Sequence, residues 1–201
     1  MRRIPCLLVG LVALAGCLLR TADPPRFFRP GSVTLDAPED EVAPPAPGAI
    51  AIRLRGVRSE PFLRERIVWR VSELEYGLYG QRRWIDLPEH YVERALRTRL
   101  RATSGLRLTD DLRAPTLHVR VLAFDDRLAP AHTANVALAV TLEDREHGRF
   151  LERTFNARVG IDDGDPASMA EAMGQALDDA VAQVADAVRV SVRARGVHFP
   201  E

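Results

Sequence analysis

Asn135-Val136-Ala137-Leu138-Ala139-Val140-Thr141-Leu142-Glu143 places Val136, Leu138, Val140 and Leu142 at every second position. That period of two is the pattern of a strand with one buried face. Leu117-His118-Val119-Arg120-Val121-Leu122-Ala123-Phe124 before it and Phe150 to Val159 after it read the same way. The link from Asp144 to Gly148 is short and polar, which suits a hairpin. The three segments are therefore expected to run as an antiparallel meander.

A sheet face of that kind needs a cover. The chain supplies one directly afterwards: Met169, Ala172, Met173, Ala176, Leu177, Ala180, Val181, Val184, Ala185, Val188 and Val192 trace a single stripe at helical spacing. Glu171, Asp178, Asp179, Gln183, Asp186, Arg189 and Arg193 face away, with acids early and arginines late, as the helix dipole favours. Asp165-Pro166 is a start signal and Gly196 a stop. A second helix is expected from Asp86, which forms a capping-box pattern with Glu89, with Pro88 in the first turn. Its apolar face is Tyr91, Val92, Ala95, Leu96 and Leu100, and Gly105 is its expected stop.

Upstream, Ala49 to Arg55 reads as a first strand and Arg66 to Ser72 as a second. Glu73 to Trp84 has no clean period, and Gly77 and Gly80 interrupt it, so a loop is expected there. The order β-β-α-β-β-β-α predicts a mixed α/β fold of the α+β kind. It would be a two-layer sandwich, a mostly antiparallel sheet with two amphipathic helices on one face.

The N-terminus bears on compartment. Arg2 and Arg3 precede an apolar run from Ile4 to Leu19. That run is shorter than the roughly 20 residues a membrane-spanning helix needs. Residues 1–16 read as a signal peptide. Leu14-Ala15-Gly16-Cys17 has the form of a bacterial lipobox, with cleavage between Gly16 and Cys17 once the Cys17 sulfur carries a lipid. A secreted protein with a chance cysteine, or a short anchor, is the alternative. Each buried methylene contributes about 0.8 kcal/mol and one acyl chain alone holds only marginally, so the two or three chains of a lipoprotein, palmitate among them, would make a firm anchor. Leu18, rather than Asp, after the cysteine favours the periplasmic side of the outer membrane.

Residues 17–48 then read as the lipidated cysteine and a tether, with Pro24, Pro25, Pro30, Pro38, Pro44, Pro45, Pro47 and the acidic Glu39-Asp40-Glu41. A tether of that length would hold the domain well off the bilayer. Within it, Phe27-Phe28 and Val33-Thr34-Leu35 are expected to dock as an edge strand. Residues 49–201 form the domain.

At 201 residues, 46% hydrophobic and 28% charged, the chain can bury one core and is not globally disordered. Its 28 basic residues balance 28 acidic ones, which argues against a nucleic-acid binder. Cys6 leaves with the signal, and Cys17 is then the remaining cysteine, so neither a disulfide scaffold nor a cysteine-based zinc cluster is expected. His90, His118, His132, His147 and His198 have no metal-ligand spacing. Asp162-Asp163-Gly164-Asp165 resembles a calcium loop in composition but lacks the closing Glu; a polar turn with a helix cap is the plainer reading. With no phosphate loop and no nucleophile elbow, no catalytic residue, metal or cofactor is expected.

Two stretches remain open. Arg53, Arg55, Arg58, Arg64, Arg66 and Arg70 form either a solvated strand face or a surface for acidic lipid head groups or a partner. Tyr76, Tyr79, Arg82, Arg83 and Trp84 are candidate partner-interface residues, because Arg, Tyr and Trp dominate interface hot spots. The alternative is that Trp84 fills the core beside the helix that starts at Asp86.

Taken in order, Cys17, the paired Phe27-Phe28, a strand, Leu74-Glu75-Tyr76 through Arg83-Trp84, and Tyr91-Val92-Glu93-Arg94-Ala95-Leu96 resemble the ABC-type transport auxiliary lipoprotein components, from Cys17 to about Arg195. The insert before Ala49 and the link Ile85-Asp86-Leu87-Pro88 depart from the family pattern. The resemblance implies a non-enzymatic lipoprotein subunit of an intermembrane lipid transport system of the MCE type. It would dock on or cap the periplasmic conduit at the outer membrane. The implied partners are an MCE-domain protein and an ABC permease and ATPase, with a homo-oligomeric ring as the implied assembly. An accessory lipoprotein of lipopolysaccharide transport or of a secretion system is the second reading, and a lipid-anchored enzyme the third.

Overall fold

The computed structural model describes residues 23–37, 47–145 and 148–195. Its elements in chain order begin with β1 (Arg26–Phe28), α1 (Val33–Asp36), β2 (Ile50–Leu54), β3 (Arg58–Ser59), β4 (Arg66–Arg70) and β5 (Tyr76–Trp84). They continue with α2 (Pro88–Ala102), β6 (Leu106–Leu108), β7 (Thr116–Arg127), β8 (Thr133–Asp144), β9 (Gly148–Gly160) and α3 (Pro166–Ala194). No helix among the described residues is long and apolar enough to cross a membrane.

β7 is the spine. Along one edge it pairs antiparallel with β8 from Thr116↔Glu143 to Arg127↔Thr133, and β8 pairs antiparallel with β9. Along its other edge three short strands take turns, all parallel: β2 at Thr116 and Leu117, β3 at Arg120 and Val121, β4 at Asp125 to Arg127. The sheet therefore forks, with β6 beside β2 in one arm and β5 then β1 beside β4 in the other. The long ladders are antiparallel and the parallel ones short, so the α+β sandwich expected from the sequence is the fold observed.

Alternation decides which face is covered. Val136, Leu138, Val140 and Leu142 are all buried, and the entire predicted stripe of α3 is buried with them. α2 buries Tyr91, Val92, Ala95, Leu96 and Leu100 in the same core. Each Val, Leu or Met among them contributes about 1.5–3 kcal/mol on burial.

Four expectations need correction. The stretch expected as a loop is strand β5, antiparallel to β4 with Tyr76↔Arg70 and Leu78↔Val68. Gly77 is not a turn residue: it lies against the Trp69 ring, where any Cβ would collide. Second, Val33–Asp36 is one helical turn, capped by the Ser32 hydroxyl accepting from Leu35 N–H; only Arg26–Phe28 is a strand, parallel to β5. Third, residues 26–36, within the stretch expected as a tether, pack on the body of the domain, along β5 and against α3. Fourth, the cap of α2 is Leu87 with no side-chain bond, and Asp86 instead accepts from Leu87 N–H at 2.8 Å and holds His90 and Arg94. α2 ends at Ala102, and Gly105 follows with φ +82, a left-handed turn residue. Gly16, Cys17, the Glu39-Asp40-Glu41 patch, part of the Asp144–Gly148 link and Gly196 lie outside the described residues.

Candidate functional site

The five candidate interface residues sit on β5, in the arm of the sheet that starts with the N-terminal strand. They separate into two groups. Trp84 is 1% exposed, edge-on to Phe124 at 5.3 Å and to Tyr91 at 6.4 Å. Its side chain fills the core beside α2. Tyr79 is half-buried, and its hydroxyl donates to Asp126 Oδ2 at 2.7 Å. These two anchor the strand from beneath.

Tyr76, Arg82 and Arg83 reach the surface. Tyr76 is 50% exposed, its ring 5.2 Å from that of Phe62 and 5.7 Å from the Arg70 guanidinium. Arg82 lies 4.3 Å above the Tyr79 ring, a cation–π contact that keeps the charge outward over a fixed aromatic. Arg83 is in register with Phe27 on one side and Arg66 on the other.

What pins this arm was not legible as a site in the sequence. Asp125 and Asp126 are adjacent on β7 and nearly fully buried, 0% and 1% exposed. Successive strand residues point to opposite faces, so each serves a separate network. Asp126 engages Tyr79 through Oδ2 and His132 Nε2 through Oδ1 at 2.8 Å. Asp125 accepts from Arg70 Nε and from Asn135 Nδ2, both at 2.8 Å, and Arg158 Nε donates to Asn135 Oδ1 at 3.2 Å. Glu73 bridges Arg70 and Arg127 outside. Burial pushes the Asp125 carboxyl above its ordinary value, against the lowering pull of Asn135 and Arg70. Burial, then the bond to Asp126, also holds the Tyr79 phenol well above its usual range, so it stays a hydrogen-bond donor. With both Asp126 oxygens engaged, the Tyr79–Asp126–His132 group acts as a polar pin between β5, β7 and the start of β8. The signal for it was an Asp-Asp pair continuing an apolar strand.

The other sequence candidates are dispersed. His90 contacts Asp86, and His118 lies 3.1 Å from Glu143, far along β7 from His132. Among the described residues no group of three or more His, Cys, Asp or Glu could hold a metal. Asp165 caps α3 by accepting from Ala167 N–H at 3.2 Å, and Asp163 accepts from Asp165 N–H at 3.0 Å, a turn and a cap. In the arginine run, Arg53 bonds Thr116, Arg64 bonds the Pro61 carbonyl, and Arg70 is ion-paired; Arg55 and Arg58 open onto the uncovered face of the sheet.

A search of the curated proteins finds no match. Among solved structures, a protein from Xanthomonas campestris superposes with a TM-score of 0.65 at 16% identity, over 77% of this chain and 94% of its own. A second, described only as an uncharacterized protein, gives 0.64 at 13% identity over 83% and 99%. A hypothetical protein from Chlamydia trachomatis gives 0.53 at 10% identity over 72% and 99%. At these identities the likeness is one of fold. The family model for the ABC-type transport auxiliary lipoprotein component matches residues 34–185, from α1 to well inside α3. The chain therefore belongs to the family of ABC-type transport auxiliary lipoprotein components.

Proposed function

We propose that this chain is a non-enzymatic, lipid-anchored subunit of an MCE-type intermembrane lipid transport system, held at the periplasmic side of the outer membrane. There it docks on or caps a conduit formed by an MCE-domain protein that is served by an ABC permease and ATPase. The observation that carries this reading is the family match, which spans the body of the domain. The lipobox supports the anchor: Cys17 would be cut free at Gly16 and acylated.

The fold sharpens the geometry of this proposal. Nine residue steps separate Cys17 from Arg26, where β1 begins, and that much chain spans at most about 30 Å. An acylated Cys17 would thus keep the β1–β5 arm close to the bilayer. Partner contact is assigned to β5, through Tyr76, Arg82 and Arg83, with Tyr79 and Trp84 fixing them from below. A homo-oligomeric ring belongs to the same proposal; β9, paired only with β8 among the described strands, is a long free edge available for it.

The test is fractionation of host membranes with the full-length chain and its Cys17→Ser variant. The proposal expects the wild-type chain in the outer-membrane fraction with the MCE-domain protein, and Cys17→Ser released from the membrane. Equal membrane retention of both forms would remove the anchor from the proposal.

A further inference from the structure

α2 and α3 cover one face of the sheet and leave the other open, and the early arginines converge on that open face. Arg58 of β3 and Arg120 of β7 are in parallel register, so two guanidinium side chains leave neighbouring strands on the same side. Like charges directly opposite one another destabilise a ladder unless something negative lies between them. Arg55, just beyond β2, is fixed by its N–H to the Leu117 carbonyl at 3.0 Å, beside His118. These four basic side chains, with Leu122 and Ala139 beneath, line a groove of about 470 Å³.

Local acids compensate this charge only in part. Glu60 approaches Arg120 at 3.7 Å and Glu143 takes His118 at 3.1 Å. Arg55 and Arg58 have no carboxylate partner among the described residues. A planar guanidinium donates two parallel hydrogen bonds to an oxyanion, and three of them around one groove suit a tetrahedral phosphate better than a single carboxylate. The groove is also larger than a phosphate ion needs and falls within the range of small-molecule sites. Its apolar floor of Leu122 and Ala139 offers cover to carbon rather than to water.

We propose that this groove is a binding site for a phosphate group, with a phospholipid head group as the ligand that fills it. Arg58 and Arg120 clasp the phosphate oxygens, Arg55 closes the third side, and Leu122 and Ala139 receive the glycerol end. The groove uses no residue of the proposed anchor or of β5, so its failure is separable from theirs.

The test is calorimetric titration of the purified full-length protein in non-ionic detergent, with inorganic phosphate and separately with water-soluble dihexanoyl phosphatidylglycerol. The double variant Arg58→Gln with Arg120→Gln is measured in parallel. So is Arg149→Gln, an exposed residue paired with Glu152 on β9, as a charge control. Thermal melting checks that each variant is folded. The short-chain lipid is expected to bind at least about tenfold more tightly than phosphate, the double variant to weaken binding at least about tenfold, and Arg149→Gln to change nothing. Equal binding of lipid and phosphate, lost in the double variant, supports the phosphate site with the free ion as its ligand. No binding of either, or binding indifferent to Arg58 and Arg120, overturns the proposal.

Discussion

Asp178 on α3 accepts the hydroxyl of Ser32 on Oδ1 at 2.6 Å, although 146 residues separate the two in sequence. The same carboxylate accepts the Val33 N–H at 2.9 Å and the Thr34 N–H at 3.3 Å. One side chain of the last helix thus caps the first, α1, and ties the segment that follows Cys17 to the body of the domain. Close by, Gly31 N–H donates to the Ala170 carbonyl at 3.0 Å, and Gly174 leaves room for the Gly31 backbone against the helix.

Asp178→Ala removes the acceptor for all three donors. It is expected to cost about 1–2 kcal/mol, read as a lower urea midpoint, and to open residues 29–37 to limited proteolysis. Gly174→Ala is a sharper version. Alanine is the better helix former by about 1 kcal/mol, yet its methyl would strike the Gly31 backbone. A lower melting temperature with the same proteolytic opening is expected; a more stable variant would contradict the clamp.

Trp84 and Arg82 are predicted to fail differently. Trp84→Ala removes a buried indole from between Tyr91 and Phe124 and is expected to cost about 3–5 kcal/mol. Arg82→Gln and Tyr76→Ala are surface changes expected to stay within about 0.5 kcal/mol of wild type while reducing capture of the proposed MCE-domain partner. Chemical denaturation and a pull-down, run on the same three variants, separate the two roles.

Tyr79→Phe leaves one oxygen of the buried Asp126 without its partner. A loss of about 1–3 kcal/mol is expected, and the fraying should show as faster amide exchange in β5 while β8 and β9 stay protected.

Acid unfolding should report Asp86. Partial burial opposes its ionisation, but bonds from Arg94, His90 and the Leu87 N–H outweigh burial and bring the carboxyl down to about 2. A folded-state value below the unfolded one means that this stability is present above the unfolded value, near 4, and disappears as pH falls towards 2. Because the group is partly exposed, about 1 kcal/mol is the expected size. Asp86→Asn should therefore be less stable than wild type at pH 7, with the two converging by about pH 2. A constant gap across that range would show that the ion pair is not the source.

Local pattern was enough for β2, β7, β8, β9 and both long helices, because there each residue's face follows from its spacing alone. It failed where partners are distant. Gly77 and Gly80 break the period of β5, and only the Trp69 ring from β4 explains why Gly77 belongs in a strand. Asp125 and Asp126 end the apparent apolar run of β7, yet the strand continues to Arg127 because Arg70, Asn135, Tyr79 and His132 arrive from elsewhere to satisfy them. The prolines ahead of Ala49 suggested a tether docked as an edge strand, but the bond between Ser32 and Asp178 is a tertiary fact that no local window contains. Along Tyr76–Trp84 the side-chain directions were not legible, because they depend on the register with β4 and β1.

The most direct test is native mass spectrometry of the tagged full-length lipoprotein, purified in detergent from its own host membranes. The expected result is a chain that begins at an acylated Cys17 and travels with an MCE-domain protein and with permease and ATPase subunits. An unacylated chain, or an acylated one accompanied instead by secretion or lipopolysaccharide-export subunits, would contradict the proposed role in lipid transport.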